Sequence, residues 1–361
     1  MEQNEEKNLW NEYLRYNSEW QNLFETGSCL LDAEDSAGQD KQRSDCLVEE
    51  IKNDYGVEVR DHESRETSYD VDKRIAFVNK KVEPKHFMNV VKYHESVCSV
   101  PRKEELVKII NDTIAQNADI LVMPELMVPF SWLAFLSERA RQSNIAIITG
   151  MEYFVNEQKI ANYVVTILPF KDKYVSNSYI HLREKNYYSP KEGLMLEGYH
   201  YQVKKKTDIP KYTLFHWRKC YFSVFNCFEL ADIASRAKFK SKVDFIIAVE
   251  YNKDIHYFSD VVGSWARDIH CFIIQVNSSD YGDSKIIMPS KTEEKTLVQI
   301  KGGENTVVLM SKLPISELRD FQLADYVVQQ DNKRFKFTPP GYVHEYALKR
   351  HNDERIKKWQ M

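Results

Sequence analysis

The sequence predicts a layered α/β domain, with helices packed over sheets, across residues 74–336. Three observations predict it. Strand-like and helix-like patterns alternate from residue 74 onward. Several strand-like runs are short and wholly apolar, Ile120-Leu121-Val122-Met123 being the clearest, as strands buried on both faces must be. The chain has 361 residues, 43% hydrophobic and 29% charged, which suffices for one large core with an appendage.

Residues 1–73 stand apart. Leu9, Trp10, Tyr13, Leu14, Trp20, Leu23 and Phe24 recur at three-to-four spacing, which predicts one amphipathic helix. Residues 27–45 are polar and turn-rich, and 54–73 are dense in charge and read as a linker. The segment is an N-terminal helical extension whose aromatic stripe predicts docking, on the main domain or on a protein partner. Strands are then predicted at 74–82 and 120–123, with helices at 103–116 and 131–141. Three successive strands follow at 145–154, 161–170 and 174–182. Residues 212–226 hold two more strand-like runs. Helices at 228–239 and 258–269 alternate with strands at 243–249 and 271–276, and strands at 286–288, 297–301 and 307–313 close the series. After Phe337 the run Pro339-Pro340-Gly341 and a charged tail predict a C-terminal arm, 337–361, that leaves the core.

Net charge is −4, which argues against a broad nucleic-acid-binding face. No apolar run reaches the length of a membrane span, and the N-terminus lacks the apolar stretch of a secretory signal. The six cysteines are scattered without a C-x-x-C pair, so neither a disulfide framework nor a zinc site is expected, and a reducing, cytoplasmic compartment is. The ten histidines form no metal pattern; His344 and His351 share at most one helical face.

Three reactive side chains share one local design, each at the end of an apolar strand. Glu125 follows Ile120–Met123, and apolar surroundings raise a carboxyl pKa and make it a better base. Lys185 follows the strand ending near Leu182, and a fixed ammonium can hold an oxyanion and favour a nearby thiolate. Cys227 ends the run Tyr221-Phe222-Ser223-Val224-Phe225-Asn226, with a helix predicted just beyond. The N–H groups and dipole of that helix would favour thiolate. Each residue alone has a plain structural reading: a strand-end glutamate, a solvated lysine, a core cysteine. Cys220 and Cys271 are assigned to the core.

Taken together, the three resemble the Glu–Lys–Cys triad of the nitrilase superfamily of carbon–nitrogen hydrolases. Pro124-Glu125-Leu126 matches the family's glutamate motif. Lys185-Asn186-Tyr187-Tyr188-Ser189-Pro190-Lys191-Glu192 matches K-x-x-L-x-P-x-E except for Tyr188. Cys227-Phe228-Glu229, with Arg236 downstream, matches its nucleophile motif. Val243-Asp244-Phe245-Ile246-Ile247 resembles its A-D-L-I-L strand, and Gly282-Asp283-Ser284-Lys285-Ile286-Ile287-Met288-Pro289 its G-x-S-x-I-x-x-P segment. Ala266, Asp268 and Asn277 fall at its R-A-x-E-N helix end and strand-closing asparagine, although Trp265 replaces an arginine and Asp268 a glutamate. The resemblance spans about residues 74–313.

The resemblance implies a four-layer α-β-β-α sandwich and a cofactor-free thiol hydrolase. Its substrate would be a small amide or carbamoyl compound, less commonly a nitrile, cleaved through a thioester on Cys227. Glu125 would be the general base and acid. Lys185 and the Phe228 N–H would hold the oxyanion, and Glu192 would position the site. Tyr187, Tyr188, Trp132, Tyr251 and Asn252 are the candidate pocket residues, and a homodimer or larger assembly is expected. The alternative is a nitrilase-like assembly module in a larger system such as bacterial phage defence, motivated by the docking character of residues 1–73.

Overall fold

The computed structural model describes residues 57–62, 70–171, 176–204, 209–291 and 294–351. The amphipathic helix predicted from Leu9 to Phe24 lies outside them. The strands among the described residues are β1 (Val57–His62), β2 (Lys73–Asn79), β3 (Ile120–Val122), β4 (Ala146–Gly150), β5 (Phe154–Asn156), β6 (Lys159–Ala161), β7 (Tyr163–Lys171), β8 (Ser176–Glu184), β9 (Tyr212–Trp217), β10 (Cys220–Asn226), β11 (Phe245–Glu250), β12 (Phe272–Asn277), β13 (Ser284–Ile287), β14 (Thr296–Ile300) and β15 (Val307–Leu313). They form a seven-stranded sheet, β1-β9-β10-β11-β12-β13-β14, a six-stranded sheet, β15-β2-β3-β4-β7-β8, and the hairpin β5-β6.

The most apolar runs form the parallel centre of each sheet: β2, β3 and β4 in one, β10, β11 and β12 in the other. The two sheets meet face to face. Ile75, Phe77, Ile120, Val122 and Ile148 share one core with Phe222, Val224, Phe245, Ile247, Phe272 and Ile274. Each such side chain stabilises the fold by about 1.5–3 kcal/mol through burial. Strand alternation turns the intervening residues outward, where helices cover them. Helix Leu133–Ser143 packs on β4, β7 and β8, and helix Ile255–Trp265 packs on β12. The architecture is therefore helix, sheet, sheet, helix, as the resemblance implies. Among the described residues no helix is long and apolar enough to cross a membrane.

Two expectations at the margins of the domain are corrected. Residues 57–62, read as part of a charged linker, form β1, which pairs in parallel with β9 from Val57–Tyr212 to His62–Trp217. An edge strand tolerates charged residues because one side of its ladder is open, so charge density did not exclude it. The described part of the C-terminal arm also does not leave the core. Helix His344–Arg350 packs on helix Ile315–Leu323, with Ala347 fully buried. The Arg350 guanidinium meets Asp244 Oδ1 at 2.5 Å, Gln322 Oε1 at 2.9 Å and Tyr342 at 3.0 Å. A buried cation is tolerated only where such partners satisfy it, and Asp244 lies 106 residues away in sequence.

Three local differences shape the site. Helix Pro84–Tyr93, which the periodicity did not single out, begins with proline at its first turn and buries Phe87, Val90 and Val91. Helix Pro190–Gly198 starts at Ser189, whose hydroxyl accepts from the Glu192 N–H at 3.2 Å. The helix predicted at 228–239 splits into a 3-10 turn, Cys227–Ala231, and a short helix, Ile233–Ala237. Asp232 makes the break by capping the second piece through the N–H groups of Ala234 and Ser235.

Candidate active site

The chain segments following β3, β8, β10 and β11 meet at one end of the sandwich. They bring together Glu125, Lys185, Cys227 and Tyr251. Glu125 and Lys185 are each 1% exposed and Cys227 9%. Lys185 Nζ lies 2.8 Å from Glu125 Oε1 and 2.7 Å from Glu192 Oε2, so one ammonium is held between two carboxylates. The Tyr251 N–H donates to Glu125 Oε2 at 3.0 Å, and its carbonyl oxygen lies 4.0 Å from Cys227 Sγ. The Glu125 carboxylate and the Cys227 thiol are close enough for each to act on the other's charge.

Backbone geometry places these groups. Cys227 has φ 46°, a left-handed conformation costly for a residue with a Cβ, at the sharp turn from β10 into the 3-10 helix. Leu126, just after Glu125, is left-handed too, with φ 57°. Beside it, Gly150 must be glycine, since a Cβ there would lie 2.4 Å from the Glu125 Cα.

Several residues that sequence reasoning missed hold the triad. Asn162 is fully buried and bonds Glu125, the Lys185 backbone and Asn226, the residue before Cys227. Its Nδ2 donates to Glu125 Oε1 at 3.0 Å, and its Oδ1 accepts from Asn226 Nδ2 at 3.0 Å. Its carbonyl accepts from the Lys185 N–H at 2.8 Å, and its own N–H donates to the Tyr188 oxygen at 2.8 Å. Glu229 receives Arg183 in two parallel bonds of 2.7 and 2.8 Å, and accepts the N–H groups of Asn186 at 2.6 Å and Asn226 at 2.7 Å. It thereby ties the turn carrying Lys185 to the turn carrying Cys227. Tyr153 donates to Glu192 Oε1 at 2.9 Å. Nothing near Asn162 in sequence marks it, because its partners come from three other strands. Glu229 was visible only as part of the cysteine motif.

Electrostatics follow from burial and from this cluster of charges. Burial raises the Glu125 pKa, as expected for a strand-end carboxyl in apolar surroundings; Lys185 opposes the rise and Glu192 adds to it. Burial works to lower the Lys185 pKa, but the Glu125 and Glu192 carboxylates outweigh it and keep the ammonium charged. The thiol departs from expectation. Burial, followed by the Glu125 charge, pushes the Cys227 pKa well up, and Lys185 only partly offsets them. The resting group is a thiol, so the sequence-based expectation of a favoured thiolate is corrected. The five-residue 3-10 turn provides no α-helix dipole, and Lys185 is already committed to two carboxylates.

The remaining predicted site residues are distributed as follows. Phe228 is the second residue of the 3-10 turn, so its N–H belongs to the first turn, where N–H groups lack an intrahelical acceptor. Glu192 contacts Lys185 directly. Tyr188 lies beneath Lys185, with its ring 5.4 Å from Nζ and only 4% exposed; it supports the site and does not line a pocket. Tyr187 faces Ser235 and Asp232, beyond the cysteine turn. Trp132 lines a separate cavity of about 230 Å³ with Arg102 over its ring, away from the triad. Asn252 is clamped to Asn277, donating its N–H to Oδ1 at 2.9 Å and accepting Nδ2 at 2.8 Å. Of the five pocket candidates, Tyr188 packs on Lys185 and Tyr251 hydrogen-bonds Glu125. The Tyr251 ring packs edge-on against Phe87, 5.3 Å away, which in turn meets Tyr153. The two departures from the resembled helix-end pattern are accommodated: Trp265 is fully buried edge-on against Phe225, and Asp268 lies 3.7 Å from Arg236.

No protein-family model and no curated protein matches this chain. Solved structures do. Nit3 of Saccharomyces cerevisiae, a member of branch 10 of the nitrilase superfamily, matches with a TM-score of 0.52 at 13% identity, over 73% of this chain and 98% of that one. A carbon–nitrogen hydrolase superfamily protein of Xanthomonas campestris, with an arsenic adduct in its active site, matches with a TM-score of 0.51 at 13% identity, over 74% of this chain and 99% of that one. At such identity the likeness is one of fold: the chain has the fold of the nitrilase superfamily.

Proposed function

We propose that this chain is a thiol hydrolase that cleaves a non-peptide carbon–nitrogen bond of a small amide or carbamoyl compound, less readily a nitrile. The observation that carries the reading is the convergence of Glu125, Lys185 and Cys227 from three separate strand ends around one buried point. A structural role explains none of the three. A buried ammonium between two carboxylates beside a thiol is costly, and hydrophobic residues of similar size would serve packing as well.

In the proposed reaction, Cys227 Sγ attacks the carbonyl carbon as its proton passes to Glu125. The carbonyl oxygen becomes an oxyanion, held by Lys185 Nζ and the Phe228 N–H. The C–N bond then breaks, and Glu125 returns the proton to the departing nitrogen, which leaves as ammonia or an amine. A water next attacks the thioester, giving one proton to Glu125. The acid is released, and that proton restores the Cys227 thiol. A protonated resting thiol suits this sequence, because Glu125 then acts as base at the moment of attack. Glu192 and Asn162 fix Lys185 and Glu125 throughout.

Hydroxylamine trapping tests the reading. An acyl-enzyme formed from an amide panel is diverted to the hydroxamate, and Cys227→Ala abolishes both hydroxamate and ammonia release. Equal turnover by Cys227→Ala would overturn it.

A further inference from the structure

One buried acid beside the site takes no part in the proposed reaction. Glu250 is the last residue of β11 and has no exposed surface. Its Oε1 accepts from Gln275 Nε2 at 2.9 Å. Its Oε2 has no hydrogen-bond partner among the described residues, and the Asn252 side-chain amide faces it without reaching hydrogen-bond geometry. The cation facing it, Lys285, is tied instead to Asp283 Oδ2 at 2.8 Å and Ser259 Oγ at 2.5 Å. A buried carboxyl with one oxygen unmet and no cation on it keeps its proton. Burial pushes its pKa up to about 8; the Gln275 and Asn252 amides and Lys285 hold it down, and the Glu125 charge adds to the rise.

The next residue links Glu250 to the chemistry. Tyr251 holds Glu125 through its N–H and faces Cys227 Sγ with its carbonyl. A charge on Glu250 also acts directly on the Cys227 thiol. The groups facing Glu250 are thus Gln275 from β12, Lys285 from β13, Asn252 after β11, Glu125 after β3 and Cys227 after β10.

We propose that Glu250 is a positioning residue whose uncharged carboxyl anchors the end of β11 and leaves Glu125 and Cys227 free to exchange a proton. When Glu250 ionises, a further negative charge opposes both the thiolate and the oxyanion. Its consequence for turnover rests on the thiol-hydrolase reading; its effect on Cys227 does not.

The test is the pH dependence of Cys227 alkylation by iodoacetamide in the full chain, read by peptide mass, which needs no substrate. In Glu250→Gln, which mimics the protonated acid, the apparent midpoint of Cys227 moves down by about one pH unit. Gln275→Met withdraws the donor that favours the ionised acid and moves the midpoint down by less; it decides the matter if Glu250→Gln does not fold. Coincident midpoints in all folded variants would overturn the proposal, even with hydrolysis intact. A shifted midpoint without turnover of any C–N compound would uphold it and remove the hydrolase reading instead.

Discussion

A Cβ added at Gly150 would lie 2.4 Å from the Glu125 Cα and 2.8 Å from the Leu126 N. The end of β4 and the turn carrying Glu125 are packed backbone to backbone, held by the Gly150 N–H to Pro124 O bond of 3.1 Å and the Met127 N–H to Gly150 O bond of 3.1 Å. Gly150→Ala should therefore move Glu125 and destabilise the fold by about 1–3 kcal/mol, the usual cost of overpacking. Thermal melting reads the stability loss. Hydrolysis per folded molecule should fall as well, and unchanged values of both would refute the close approach.

Glu229 and Arg183 form a buried pair in which each charge depends on the other. Glu229→Gln leaves Arg183 without its counter-charge, at a cost of about 3–5 kcal/mol. Urea unfolding measures it. The double variant Glu229→Leu/Arg183→Met should be less destabilised than the sum of the two single variants.

Lys185→Met should lower kcat by a factor of about 10² to 10³ through loss of an oxyanion donor. KM should change far less, because the donor acts where charge develops. A KM effect with kcat preserved would assign Lys185 to substrate binding instead.

Acid should loosen the C-terminal segment first. Burial alone would raise the Asp244 pKa, but Arg319 and Arg350 overcome it and hold it down at about 2. A depressed carboxyl pKa contributes stability that is present above the ordinary value near 3.8 and lost as pH falls through about 2. Hydrogen exchange in helix His344–Arg350 should accelerate between those pH values. Asp244→Asn should expose the same helix to protease at neutral pH.

Glu250 should give the opposite sign. Its pKa is raised from 4.5 to about 8, so the folded state binds its proton more tightly. Its contribution to stability falls as pH rises through that window and is constant above it. Between pH 5 and 8 the urea midpoint of Glu250→Gln should decline less than that of the parent chain.

The sandwich, and the meeting of Glu125, Lys185 and Cys227 at strand ends, were legible because both are written locally. Apolar runs such as Ile120–Met123 encode buried strands, and each triad residue sits in a short motif at a strand end. What was not legible depends on distant partners. Asn162 has ordinary neighbours in sequence and acquires its meaning from Glu125, Asn226 and Lys185. Arg350 looked like part of a charged tail until Asp244 received it. β1 was hidden by its charges, which an edge strand can expose. The state of the Cys227 thiol was misread because the motifs name Lys185, Glu125 and Glu192 without showing that both carboxylates hold the one ammonium.

The most direct test of the central claim is intact-mass spectrometry of the chain after incubation with amides, carbamoyl compounds and nitriles. A mass increment equal to an acyl or carbamoyl group should appear, map to the Cys227 peptide and vanish in Cys227→Ala. Hydrolysis with no such adduct, or an adduct that persists in Cys227→Ala, would contradict the assignment of Cys227 as nucleophile.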